Sequence, residues 1–281
     1  MAGRGMAGRP KRAAALVWPF YGAFALTALS GSVLMSLQEG LNMAPSGPAM
    51  NPHISSVTTT DPWGNPCATM MDTMKGMSVM GESMEAMMDH MCMTPLRPEQ
   101  SGDAERAKAL VEQVGAVIEK YKDYKKAIKD GYVQANPTVD QPQFHFNNEA
   151  NAKLADTKFD PTRPTSLLYF RTPMQRFKLE GVMFTAGNSA TEDELNQRVP
   201  LSVARWHKHT NFCAAPENKV KEYFGDHPKF GMFGSIHTRE ACNAEGGTFL
   251  PVVFKWMIHV FPYENDFKDQ FSMNDDIIHV H

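Results

Sequence analysis

Residues 201–213 have the sequence LSVARWHKHTNFC, and this stretch decides the fold that we predict. Its residues alternate, and Val, Trp, Thr and Phe are typical of strands, so it predicts a β-strand. Side chains two positions apart on a strand point to the same face. His207 and His209 therefore project together, in the arrangement that chelates a metal ion.

A second predicted strand, residues 251–261, carries another histidine. Its apolar face consists of Val252, Phe254, Trp256, Ile258 and Val260. His259 lies on the opposite face, and His145 in residues 143–148 is likewise opposite its aromatic neighbours. Imidazoles on strands can build a metal site with an open position, so we expect His145, His207, His209 and His259 to converge. The alternative is that each ring bonds only to backbone or solvent.

The pattern is β from residue 132 onward, with turn-rich segments between short strands. The candidate strands are 143–147, 166–170, 177–185, 201–212, 230–237 and 248–261. An amphipathic helix is predicted over 104–131, and one helical turn over 192–197. We expect a mainly β fold, α+β overall, over residues 102–281. Its form is an antiparallel β-sandwich or small barrel preceded by one amphipathic helix.

Residues 1–37 join a basic stretch to an apolar one. This order is typical of a signal peptide, and the apolar part is also long enough for a membrane anchor. Both alternatives export the rest of the chain to the periplasm or the cell exterior. Residues 38–66, rich in Pro, Gly, Ser, Asn and Thr, predict a flexible linker.

Residues 67–95 form a methionine-rich segment that holds half of the chain's 20 methionines and no Leu or Ile. Steps of three and four residues predict one stripe of a helix. A packing stripe for a partner protein would also use Leu and Ile, so we favour Cu(I) binding by thioethers. The candidate ligands are Met70, Met74, Met77, Met84, Met87, Met88, His90, Met91 and Cys92.

The four cysteines fall into two local pairs. An oxidising compartment favours disulfides, and a Cys213–Cys242 bridge would tie the two histidine strands together. The alternative makes Cys213 a thiolate ligand beside His209. For Cys67 and Cys92, a bridge and Cu(I) ligation both stay open.

Several motifs occur in the order found in a family of exported, uncharacterised bacterial proteins. They are Ala127 with Gly131-Tyr132, His145-Phe146, Phe159-Asp160-Pro161 with Pro164 and Leu167-Leu168-Tyr169, Leu179 with Gly181-Val182, Trp206–His209 with Cys213, and Trp256–Val260. Over residues 105–265 the chain resembles this family, which implies an exported β-rich domain with a recurrent histidine set. The family has an acidic residue where this chain has Met183. If that position binds a metal, the resemblance implies a softer ligand here.

The net charge of −3 excludes a large basic surface for nucleic acid. Our first hypothesis is an exported metal-binding protein that handles copper, with zinc, iron or manganese as alternative metals. The second is a cupin-like or copper-dependent oxidoreductase. It is weaker because no acid closely follows His209, so Glu180 or Glu217 would have to supply one. The third is a surface or assembly protein without metal.

Overall fold

The structure, a computed structural model, describes residues 59–60, 66–67, 89–137, 143–172, 174, 177–225 and 227–272. The chain divides into two compact units, 1–51 and 52–281, and the described residues belong to the second. The predictions for 1–37, for most of 38–66 and for the methionines from Met70 to Met88 lie outside the described residues. Among the described residues, no helix is long and apolar enough to cross a membrane.

Five α-helices and three short 3-10 helices are described. The α-helices are α1 (Asp103–Ile118), α2 (Tyr124–Lys129), α3 (Glu149–Ala155), α4 (Glu192–Arg198) and α5 (Arg239–Ala244). The 3-10 helices are Glu119–Lys122, Glu217–Tyr223 and Asp269–Phe271. The predicted helix over 104–131 is interrupted at Asp123, whose side chain accepts a hydrogen bond from Lys125 N and starts α2.

The described strands form one large antiparallel sheet and one small pair. They are β1 (Thr59–Thr60), β2 (Pro66–Cys67), β3 (Met91–Met93), β4 (Val133–Gln134), β5 (Gln143–Asn147), β6 (Ser166–Arg171), β7 (Phe177–Ala186), β8 (His207–Ala214), β9 (Thr248–Val252) and β10 (Trp256–Val260). The large sheet has eight strands in the order β3-β8-β10-β7-β6-β5-β4, with β9 paired to β8. β1 pairs with β2. The mainly β, α+β fold class is therefore confirmed.

Three strand predictions need correction. Residues 230–237 contain no strand, because Gly231 has a φ of +90° and the chain turns there. The strand predicted over 201–212 begins only at His207, because Pro200 O accepts hydrogen bonds from Val203 N and Ala204 N in a turn. The strand predicted over 248–261 is divided at residues 253–255 into β9 and β10.

One face of the large sheet packs against α1 in a hydrophobic core. α1 contributes Ala107, Leu110, Val111, Val114 and Ile118, at the spacing of one helix face. From the sheet, Trp256, Ile258 and Val260 of β10 join the same core, as predicted for their face. Gly181 lets β10 approach β7, since a Cβ there would lie 2.5 Å from Val260 O. The other side chains of these strands point to the second face.

Candidate metal centre

The second face of the large sheet carries histidines and methionines, and we call it the histidine–methionine face. It is defined by Met91, Met93, His145, Met183, His207, His209, Met257 and His259. All four histidines predicted to converge thus lie on one face of one sheet.

The strand registers place a thioether beside each histidine of β8 and β10. His207 is paired with Met93 of β3 on one side and with Met257 of β10 on the other. Met91 is paired with His209. His259 is paired with Met183. Side chains directly opposite on antiparallel strands have Cβ atoms about 4.5–5.5 Å apart, so thioether and imidazole are neighbours throughout.

The four imidazole rings follow one another in a row. Ring centres lie 5.7 Å apart for His209 and His207, 5.3 Å for His207 and His259, and 6.3 Å for His259 and His145. In metal sites of the zinc type, a ligand nitrogen lies about 2.0–2.1 Å from the metal ion. Two imidazole rings bound to one ion therefore have ring centres roughly 5–6.4 Å apart. Each adjacent pair therefore has a spacing that one shared ion could fit.

The four imidazole rings do not by themselves form a complete metal site with other nitrogen, thiolate or carboxylate ligands. Among the described residues, no group of three or more His, Cys, Asp or Glu side chains is placed to hold a metal ion. An ion at this face therefore needs rotation of the rings, thioether ligands, or both. Of the acids considered from the sequence, Glu180 lies at the bulge between β6 and β7, and Glu217 lies in a 3-10 helix.

Three rings of the row, those of His207, His209 and His259, have buried nitrogens that lack hydrogen bonds among the described residues. His207 is 2% exposed and His259 is 5% exposed. Nδ1 of His207 and His209, and both ring nitrogens of His259, are buried without a hydrogen-bond partner among the described residues. A buried polar atom left unpaired costs about 1–3 kcal/mol, so a partner that bonds to these nitrogens would stabilise the folded protein.

Burial also keeps the rings neutral. Burial lowers the pKa of His259 to about 4. Burial, followed by the neighbouring imidazoles His259, His90 and His145, lowers the pKa of His209 to about 4. Burial, followed by the neighbouring imidazoles His259 and His209, holds the pKa of His207 well below its ordinary value. Near neutral pH every one of these rings keeps a nitrogen lone pair, which metal binding requires.

Sequence reasoning missed Met93 and Met257 as ligand candidates. Both are buried, yet neither belongs to either of the two hydrophobic clusters of the described residues. Their spacing in the sequence was the available signal, since residues two apart on a strand point to the same face. Met257 is two residues from His259, and Met93 is two residues from Met91. Parity alone could not place β3 beside β8, so the neighbours of His207 stayed unknown.

The structure decides between the two alternatives for Cys92 and corrects the helical setting predicted for Met91. Cys92 is bonded to Cys67 in a disulfide, and a disulfide sulfur is not a thiolate ligand. Met91 lies in strand β3 instead of a helical stripe, because residues 91–93 pair with β8. His90 is buried next to His237 and lies outside the four-ring row.

The Cys213–Cys242 disulfide is confirmed, so Cys213 is not a thiolate ligand beside His209. It joins β8 to α5, close to the start of β9. With both cysteine pairs oxidised, the described chain has no free cysteine. Two disulfides are typical of proteins in an oxidising, exported environment.

Comparison of the chain with protein-family models, with curated proteins and with solved structures finds no match. The resemblance to a family of exported bacterial proteins therefore stays a prediction.

Proposed function

We propose that the protein is an exported metal-binding protein that handles copper, and that the histidine–methionine face is its metal site. The observation that carries this proposal is the set of buried ring nitrogens on His207, His209 and His259 that lack hydrogen-bond partners among the described residues. A metal ion would bond to those nitrogens and remove the cost of burying them unpaired.

The thioethers decide which metal we propose. Imidazole suits zinc, copper, iron and nickel alike, whereas thioether ligands select Cu(I). Met93 and Met257 lie on both sides of His207. Zinc sites use thiolates, imidazoles and carboxylates, and both thiol pairs of this chain are oxidised. We assign the central ligands to His207 and His259, with the thioethers next to them.

We further propose that the methionine-rich segment delivers Cu(I) to this face. Residues 68–88 begin after Cys67 and end before Asp89. The disulfide holds Cys67 against Cys92 of β3, and β3 pairs with β8. Cys67 and Asp89, the described residues on either side of this segment, are thus held beside the histidine strand, which suits transfer over a short distance.

The test is the metal content of the protein purified from a host that exports it. We expect copper, and we expect His207→Phe together with His259→Leu to lower the Cu(I) affinity of this site about 100-fold or more. Loss of an outer-shell partner alone costs about 10–100-fold, and these variants remove proposed ligands. Ile258→Val is the matched control, since Ile258 precedes His259 in β10 but faces the core.

Other outcomes would replace the proposal. Iron or manganese with turnover of an organic substrate would favour the oxidoreductase. A protein that binds no metal would favour an assembly role, with the methionine stripe contacting a partner protein.

A further inference from the structure

A second pair of histidines lies next to the four-ring row and nearer the surface. His90 directly precedes β3 and is completely buried, whereas the side chain of His237 is 44% exposed. Their ring centres are 6.4 Å apart, with the planes at 78°. We propose that these two residues, the outer histidine pair, form a separate binding site for a monovalent soft metal ion.

The hydrogen bond of His90 fixes which of its nitrogens can bind a metal. Its Nε2 lies 2.7 Å from the carbonyl oxygen of Gly234. A carbonyl oxygen only accepts hydrogen bonds, so Nε2 carries a hydrogen and Nδ1 is the nitrogen left to bind a metal ion. That Nδ1 is buried and has no hydrogen-bond partner among the described residues. Metal-binding histidines show this pattern, with one nitrogen donating to a carbonyl or carboxylate and the other bonded to the ion.

His237 lies near a carboxylate, at the distance of an ion pair and not of a hydrogen bond. Its Nδ1 lies 3.5 Å from Oδ2 of Asp89. The backbone of Asp89 is itself held, because Asn211 Nδ2 donates to its carbonyl oxygen at 2.8 Å. The carboxylate favours the hydrogen on Nδ1 of His237 and leaves Nε2 to bind an ion. Asp89 is therefore a positioning residue.

Two imidazoles without a nearby thiolate suit a monovalent ion that accepts two ligands. Rings on opposite sides of one ion have centres roughly 6.4 Å apart when the nitrogens are about 2.0–2.1 Å from it. The observed separation of His90 and His237 matches this spacing. Cu(I), and Ag(I) as its redox-inert substitute, are ions of this class.

The outer pair adjoins the half-buried end of the four-ring row. Thr210 N donates to His90 O at 2.8 Å, and Met91 is paired with His209. An ion could pass from His237 and His90 to His209 by exchange of imidazole ligands, without a change of oxidation state. This transfer role rests on the proposed function, whereas the outer pair as a binding site does not.

The experiment follows the ring nitrogens of ¹⁵N-histidine-labelled, full-length protein by NMR during titration with Ag(I). We expect Nδ1 of His90 and Nε2 of His237 to shift together. The variant His237→Gln should abolish the response of His90 and leave the responses of His207 and His259 intact. His227→Gln is the matched control, since it removes another exposed histidine and should change neither response.

A second variant, Asp89→Asn, tests the positioning role without touching either ring. It should weaken Ag(I) binding by the pair about tenfold and alter the tautomer of His237, which the ¹⁵N shifts report directly. A His90 ring that ignores Ag(I), or that responds equally in His237→Gln, would overturn the outer site. A response of His90 and His237 with none at His207 and His259 would keep the outer site and contradict the proposed function.

Discussion

The two faces of the large sheet come from the same strands but differ in chemistry. On β10, Trp256 and Ile258 enter the core, while Met257 and His259 point to the histidine–methionine face. All four side chains are buried. The core face is closed by α1, whereas the other face holds imidazole nitrogens without partners. Burial therefore does not distinguish the faces, and neither does an unpaired nitrogen, since Nε1 of Trp206 and of Trp256 is also buried without a hydrogen-bond partner among the described residues. The kind of nitrogen distinguishes them, because an indole N–H only donates a hydrogen bond whereas a neutral imidazole has a lone pair that can bind a metal ion.

Typical interaction free energies indicate how each face affects the stability of the folded protein. Aromatic pairs in the core, such as Phe146 with Tyr169 at 4.7 Å and Phe159 with Phe184 at 5.1 Å, stabilise by about 0.5–1.5 kcal/mol each beyond their buried area. Each unpaired buried nitrogen costs about 1–3 kcal/mol. On the core face, packing offsets this cost at Trp206 and Trp256, whereas on the histidine–methionine face the unpaired atoms are imidazole nitrogens.

The largest expected effect is the loss of stability when one large side chain of the core face is truncated. Trp256→Ala should lower the free energy of unfolding by about 3–5 kcal/mol, because Trp256 is almost completely buried and Lys208 Nζ lies 4.0 Å from its ring centre. Copper affinity of the folded protein should stay unchanged, since Trp256 faces away from the histidines. Urea unfolding and a Cu(I) competition titration measure the two quantities. A parallel fall in both would show that the faces are not independent.

Much of the fold follows from local alternation. β5 coincides with the predicted strand 143–147, and the predicted turn over 192–197 lies within α4. The short helices α3 and α5 were missed, because each has fewer than eight residues and too little periodicity to stand out. The break at Asp123 was missed because the lysine-rich pattern continues through it.

Those features of the candidate site that depend on the alternation of side chains along a strand could be predicted from the sequence. Parity placed His207 with His209, and placed His259 and His145 opposite their apolar neighbours, and these faces agree with the sheet. The thioether neighbours Met91 and Met93 depend on pairing between β3 and β8, which are more than a hundred residues apart in sequence. The outer pair depends on a turn at Gly234 that sequence analysis took for a strand.

The next effect is a loss of stability in acid that comes from the histidine–methionine face. The pKa of His209 and of His259 is about 4 in the folded protein, against an ordinary value of 6.5. Below pH 6.5 the unfolded chain therefore takes up protons that the folded chain does not. The free energy of unfolding should be highest above pH 6.5 and fall as the pH approaches 4. The loss is on the order of 3 kcal/mol per ring, because one pKa unit equals about 1.4 kcal/mol.

Urea unfolding from pH 7 to pH 4, with a chelator present to keep the protein metal-free, measures this dependence. His259→Leu should make the slope shallower by removing one of the rings, while His227→Gln should leave it unchanged. A slope that is the same in wild type and His259→Leu would mean that the buried rings do not cause the acid sensitivity.

The smallest expected effect separates the thioethers from the imidazoles on the same face. Met93→Leu and Met257→Leu keep the size and apolar character of the side chain, so each should change the free energy of unfolding by less than about 1.5 kcal/mol. Both remove a sulfur next to His207. Since thioethers are soft donors, Cu(I) affinity should fall about tenfold, or about 1.4 kcal/mol, while Zn(II) affinity stays within about twofold.

Ile258→Leu, a change of similar size on the core face of β10, should alter neither affinity. Equal losses for both metals would mean that the methionines only shape the pocket around the rings. A selective loss of Cu(I) would show that the sulfur atoms make this face specific for copper.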